Sequence, residues 1–247
     1  MHKIISITLF SSLILFLVLL GFFSLKKVRG EVLQSVNLQG CTLLSQDEYL
    51  QYANIEKDAD LKNYTLSSLR EKYLSHPYVS DANVVIDADK KVSVLIREKA
   101  FEAVAIIRGQ LFLITSGKEM VHVLPNTEAL DLPVLTNLSE SSVEKDFDRN
   151  NEIEEAFTII HSAKKMGDNL SQSLSEINLR NGGDITVTLN HANSVILLGK
   201  QNLLEKIYTL DALLKQIGSK VALTSSNYID LRYANNIFIG ANENVGI

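Results

Sequence analysis

The sequence predicts an α+β protein: a single N-terminal transmembrane helix, a βααββ unit beside it, and a larger mixed-sheet β domain with helices packed on it. Three observations carry this. Residues 4–25 form an apolar run without a charge; period-two alternations bracket two helix-period stretches between 32 and 99; and residues 100–240 are rich in short strands interrupted by two amphipathic stretches.

The apolar run is about 22 residues and contains only Ser6, Thr8, Ser11, Ser12, Gly21 and Ser24 as small or polar members. At roughly 1.5 Å per residue it spans about 33 Å, enough for a hydrocarbon core. A cleaved leader would have a shorter core and a small-x-small site, whereas Gly21, Phe22, Phe23, Ser24 and Leu25 supply bulky residues there. Cys41 follows Leu38, Gln39 and Gly40 but stands too far from the run to be a lipid-modified cysteine. The reading is an uncleaved anchor with a tail at 1–3 and a linker at 26–31. Lys3 on one side and Lys26, Lys27 and Arg29 on the other leave the charge rule undecided about orientation.

In the unit at 32–99, Val32, Gln34, Val36 and Leu38 alternate with Leu33, Ser35 and Asn37 as a strand that ends at the Gly40 turn. Ser45 and Glu48 form a capping box for a short helix through Tyr49, Leu50, Tyr52 and Ala53. Leu66, Leu69, Tyr73 and Leu74 mark a second helix that stops before Pro77. Ala82, Val84 and Ile86, then Val92, Val94 and Ile96, are two strands joined by the loop 87–91.

In the domain at 100–240, strands are expected at 104–107 and 110–114 around Arg108 and Gly109, and at 119–124, followed by a loop from Pro125 through Pro133 to Leu138. Ile153, Ala156, Phe157, Ile160 and Ala163 give a helix capped by Asn151 and stopped at Gly167. A hairpin at 176–189 turns at Gly182 and Gly183, and a strand at 195–198 follows a turn at 190–193. A helix through Leu203, Ile207, Leu210, Leu214 and Ile217 leads to closing strands at 228–233 and 237–239, and 241–247 is a short tail. In the first closing strand, Ile229, Leu231 and Tyr233 are expected on one face and Tyr228, Asp230 and Arg232 on the other.

Charge and composition narrow the function. The net charge is −5, and the four basic groups among residues 1–30 face no acid, which leaves 20 basic against 29 acidic groups, or −9, from Glu31 onward. A domain that acidic repels phosphate backbones, so nucleic-acid binding is not expected. The single cysteine excludes an intramolecular disulfide or a CxxC site. The histidines His2, His76, His122, His161 and His191 show no metal-ligand spacing, and no glycine loop for phosphates is present. Glu152, Glu154 and Glu155 read as solvated acids in a first helical turn. Ser162 and Lys165 match the S-x-x-K pattern in which a lysine activates a serine, which keeps an anchored periplasmic Ser/Lys-type hydrolase as the alternative function. Helix periodicity instead puts both on the polar side of their helix, so no catalytic, cofactor or metal residue is assigned.

The anchor, the βααββ unit and the terminal Tyr228, Ile229, Asp230, Leu231, Arg232, Tyr233 together resemble the FtsQ/DivIB family of bacterial cell-division proteins. Val36 to Gly40 in the order Val-Asn-Leu-Gln-Gly is similar to the family's opening strand and glycine, and Leu74, Ser75, His76, Pro77, Tyr78, Val79 to its "L..hP.V" stretch. Val94, Leu95, Ile96, Arg97, Glu98, Lys99 and then Val195, Ile196, Leu197, Leu198, Gly199 with Leu204 and Lys206 continue the likeness along nearly the whole chain. The resemblance implies a single-pass cell inner membrane protein with its N-terminus in the cytoplasm and a POTRA domain at 32–99, the bulk of the chain being periplasmic. It also implies a scaffold of the division septum whose partners are FtsB/FtsL-like proteins and other divisome components, without cofactor or small-molecule substrate. Ile237 to Ile239 would be the final strand of the sheet, with only the short stretch 241–247 behind it, and its uncovered outer edge invites strand addition by another chain. The resemblance adds that the family's partner is received at the C-terminal sheet edge, with Arg232 and Tyr233 matching the family's residues there, so the expected partner-binding residues are Arg232, Tyr233, Ile237, Phe238 and Ile239. An outer-membrane transport protein would need repeated POTRA units and a barrel, for which the chain has no room.

Overall fold

The computed structural model describes residues 36–55, 64–86, 91–139, 151–190, 194–217, 226–234 and 236–241. The expected anchor at 4–25, its flanks at 1–3 and 26–31, the start of the first strand, the loop residues 87–90 and 191–193 and the tail beyond 241 lie outside the described residues. No described helix is long and apolar enough to cross a membrane. The chain forms two compact units, one of residues up to 41 with Ser45–Arg97, the other of Thr42–Leu44 with Glu98–Ile247.

In the first unit the order is β1 (Val36–Gln39), α1 (Gln46–Tyr52), α2 (Leu66–Leu74), β2 (Val79–Ile86) and β3 (Val92–Glu98). It follows the expected βααββ sequence. The sheet order is β1-β3-β2, with β1 parallel to β3. Ser80 near the start of β2 donates to the carbonyl of Arg97 near the end of β3, so these two run antiparallel. Ser45 and Glu48 close the capping box of α1, and Thr65 forms a second box with Ser68 at α2. The second box was hidden in the sequence because a serine replaces the usual Glu or Gln at its third position. Leu38, Leu50, Leu69, Tyr73, Val94 and Ile96 build the core. His76 is buried among tyrosines, its ring centre 4.6 Å from Tyr49 and 4.4 Å from Tyr52, and its Nδ1 accepts from the Tyr78 amide.

The second unit holds a nine-stranded sheet in the order β12-β11-β10-β9-β8-β7-β4-β5-β6. Its strands are β4 (Phe101–Ile107), β5 (Gln110–Thr115), β6 (Met120–His122), β7 (Val134–Thr136), β8 (Leu174–Asn178), β9 (Thr186–Leu189), β10 (Val195–Leu197), β11 (Ser226–Asp230) and β12 (Phe238–Ala241). The helices are α3 (Asn151–Met166), α4 (Asp168–Ser173) and α5 (Leu203–Ile217). β4, β7 and β8 are parallel neighbours at the centre, α5 links the parallel pair β10 and β11, and the remaining pairs are antiparallel.

One row of registered partners crosses the sheet: Ile239, Ile229, Ile196, Val187, Ile177, Leu135, Ala105, Phe112, His122. Its seven inner members are buried in one core with Ile153, Phe157 and Ile160 of α3 and Ile207 and Leu210 of α5. Both ends are exposed, and they differ in chemistry. At β6 the row ends in polar His122, stacked on Phe112 at 4.1 Å; at β12 it ends in Ile239, 47% exposed.

Several expectations need correction. The loop between Pro133 and Leu138 contains β7, a central strand; three residues offer too few alternations for a periodic signal. The stop at Gly167 holds, with φ of +122°, but α4 starts at once behind it. Asn151 is the first helical residue rather than the cap before it. The first closing strand ends at Asp230, not Tyr233, so Tyr233 leaves the buried face and is 57% exposed. β12 begins at Phe238 and leaves Ile237 in the turn. Ser162 is buried, because α3 packs against α4, α5 and β8 and so hides a wider arc than its apolar stripe.

Candidate functional site: the open edge of the large sheet

Among the described residues β12 pairs with β11 alone, through Asp230↔Phe238, Ile229↔Ile239 and Tyr228↔Gly240, with an irregularity toward Ser226↔Ala241. Among the described residues no strand pairs with its other side. Phe238 is 51% exposed, and the Tyr233 ring meets it edge-on at 5.5 Å. A Cβ on Gly240 would lie 2.2 Å from the Tyr228 ring, so only glycine lets that ring lie across β12.

The turn before β12 is held by charge. β11 ends where the Asp230 carboxylate, itself buried, accepts from the amide of Arg232 (3.0 Å) and from its Nε (3.0 Å) and Nη2 (2.7 Å). Arg232 Nη1 donates to Asp184, just before β9, at 3.0 Å. These bonds hold the Asp230 carboxyl below the usual carboxylate range and push the Arg232 guanidinium further up. The guanidinium carbon lies 5.9 Å from the centre of the Tyr233 ring. Leu231, between the two charges, turns into the core and donates its amide to the Leu197 carbonyl. Lys206 of α5 donates to the Leu198 carbonyl, and burial pushes its ammonium down. A cavity of about 280 Å³ lies between this turn and α5, lined by Asn202, Glu205, Thr209, Tyr233 and Ile237 among others.

The structure thus gathers all five expected residues, Arg232, Tyr233, Ile237, Phe238 and Ile239, around one turn and edge. Sequence reasoning missed Asp230 and Asp184 as their supports. Alternation places Asp230 on the face with Tyr228 and Arg232, opposite Ile229, Leu231 and Tyr233, and nothing in the sequence links Asp184, beside the Gly182–Gly183 turn, to Arg232.

The hydrolase pair is arranged otherwise. The Ser162 hydroxyl donates to the Thr158 carbonyl of its own helix, and Lys165 is exposed. Glu152 is buried and accepts from the amide and hydroxyl of Ser139, which corrects its reading as a solvated acid. Glu154 pairs with Lys118, and His161 with Glu102 at 2.8 Å. No group of three metal-ligating side chains occurs among the described residues.

The large sheet of this α+β chain thus ends, among the described residues, in an apolar strand paired on one side only. A family model described as cell division protein FtsQ/DivIB, C-terminal, matches residues 105–232. The chain is 24% identical over 209 residues to the cell division protein FtsQ of Geotalea daltonii, covering 84% of this chain and 74% of that one. It is 23% identical over 202 residues to the cell division protein FtsQ of Myxococcus fulvus, covering 81% and 70%. The chain belongs to the FtsQ/DivIB family of cell division proteins.

Proposed function

We propose that this cell-division protein is a non-enzymatic scaffold at the septum: residues 4–25 anchor it in the inner membrane with the N-terminus in the cytoplasm, residues 32–99 are its POTRA domain, and β12 receives a strand from an FtsB/FtsL-type partner. The observation that carries the docking role is the asymmetry of the two sheet edges. The buried row ends at a three-residue strand and a polar histidine on one side, and at exposed Ile239 on the other, next in the chain to Phe238, whose ring meets that of Tyr233. A strand laid beside β12 would satisfy its free backbone groups and cover these apolar side chains together.

The test is to place lysine on the edge. Phe238→Lys and Ile239→Lys alter side chains that are about half exposed, so the unfolding midpoint of the full chain should stay near that of the wild type. Pull-down of the FtsB/FtsL-type partner should fall by about tenfold or more, since charged residues at an edge oppose strand pairing. Normal binding by both variants would remove the edge from the reading.

A further inference from the structure

Arg232 is the only basic residue between Lys220 and the end of the chain, and on an exposed turn it would read as a contact for an acidic partner. Its bonds in the folded chain are otherwise directed. Three of its nitrogen donors, counting the backbone amide, converge on Asp230, and a fourth goes to Asp184. The side chain therefore spans from the end of β11 to the start of β9. The Gly199 position faces this bridge: a Cβ there would lie 3.3 Å from Arg232 Cγ and 3.7 Å from an Asp184 carboxylate oxygen. The backbone consequence is local. Because the Arg232 amide bonds to a side chain rather than to a strand, β11 stops, and the chain turns toward Tyr233. Along the other direction the guanidinium faces the Tyr233 ring, and that ring braces Phe238 on β12.

We infer that Asp230 and Asp184 are positioning residues for the docking edge: they fix the Arg232 fork, which sets the turn and the Tyr233–Phe238 pair that together hold β12 in place. The inference rests on the reading of β12 as the docking strand, and it assigns Arg232 to the architecture of the edge. The fork requires a planar guanidinium and two full carboxylates. Lysine offers one point of charge, and asparagine at 230 sets its own NH2 donors against those of the guanidinium.

The experiment measures hydrogen exchange on the full-length protein in detergent, without partner, for Asp230→Asn, Asp184→Asn and Arg232→Lys, with partner pull-down alongside. Amides of β12 should exchange about ten- to a hundredfold faster in Asp230→Asn and Arg232→Lys, the range expected when a bond to a charged group is lost, and by a smaller factor in Asp184→Asn. Peptides from β8 and β9 should keep the wild-type rate. Unchanged β12 exchange in Asp230→Asn, wild-type behaviour of Arg232→Lys, or equal acceleration in β8 and β9 would each overturn the positioning role. Faster β12 exchange with undiminished partner binding would instead uphold the fork as the brace of the edge and remove β12 as the docking strand, so the two readings fail separately.

Discussion

At Gly40 the backbone takes φ of +87°, and a Cβ built there would stand 2.1 Å from the carbonyl oxygen of Ile96. Left-handed backbone costs an L-residue about 1–2 kcal/mol, and here the obstacle is a strand's own backbone, which cannot rotate aside. Gly40→Ala should therefore destabilise the first unit by about 2 kcal/mol or more. Tyrosine fluorescence during urea unfolding reads this unit well, since the chain has no tryptophan and five of its 8 tyrosines, at 49, 52, 64, 73 and 78, belong to it. The turn was legible from the glycine alone; the strand lying over it was not. Ser162 shows the opposite case. A hydroxyl at the margin of an apolar stripe signals solvent, and only the neighbours α4 and α5 reveal that the margin is covered. Pairing with a backbone carbonyl one turn earlier satisfies the buried group without any chemical task.

At the scale of elements, strong periodicity went with correct placement: α3 and α5 and the hairpins β4–β5 and β8–β9 fall where the pattern put them. β7 was lost because Val134, Leu135 and Thr136 acquire meaning only from their neighbours. Both of these are parallel to β7 and distant in sequence, and Val134–Thr136 registers with Glu176–Asn178. Leu135 is fully buried, next to the middle member, Ile177, of the row that crosses the sheet. Leu135→Ala should cost about 2–5 kcal/mol, as cavity formation at a rigid core position does, and should lower the thermal midpoint of the second unit in calorimetry. A cost below about 1 kcal/mol would mean that the centre of the sheet can collapse onto the missing volume. Arg232 and Tyr233 stood out through a family resemblance and Ile237 to Ile239 as a closing strand, whereas the carboxylates that hold Arg232 left no signal. Asp184 and Arg232 are 48 positions apart, and no short pattern spans such a distance.

At the scale of the whole molecule, the division of charge has a physical reading. The basic groups of residues 1–30 adjoin an uncharged apolar run, and the remainder is acidic, so attachment to a membrane would rest on residues 4–25 alone. Deleting 4–25 should release the protein from the membrane pellet into the soluble fraction, and a fluorescent fusion of that variant should lose its midcell band. Retention in the pellet would assign anchoring to other residues. The order of the strands adds a consequence about time. β12 is the last strand in the described chain, yet it closes one end of a sheet whose centre is made from β4, β7 and β8. During synthesis the middle of the sheet can gather only after Asn178 has emerged, and the edge exists only once β11 has found β10. A docking strand of the kind proposed for β12 would therefore be finished last and serve as its own certificate of completion: a partner binding it would meet only copies whose sheet is already assembled.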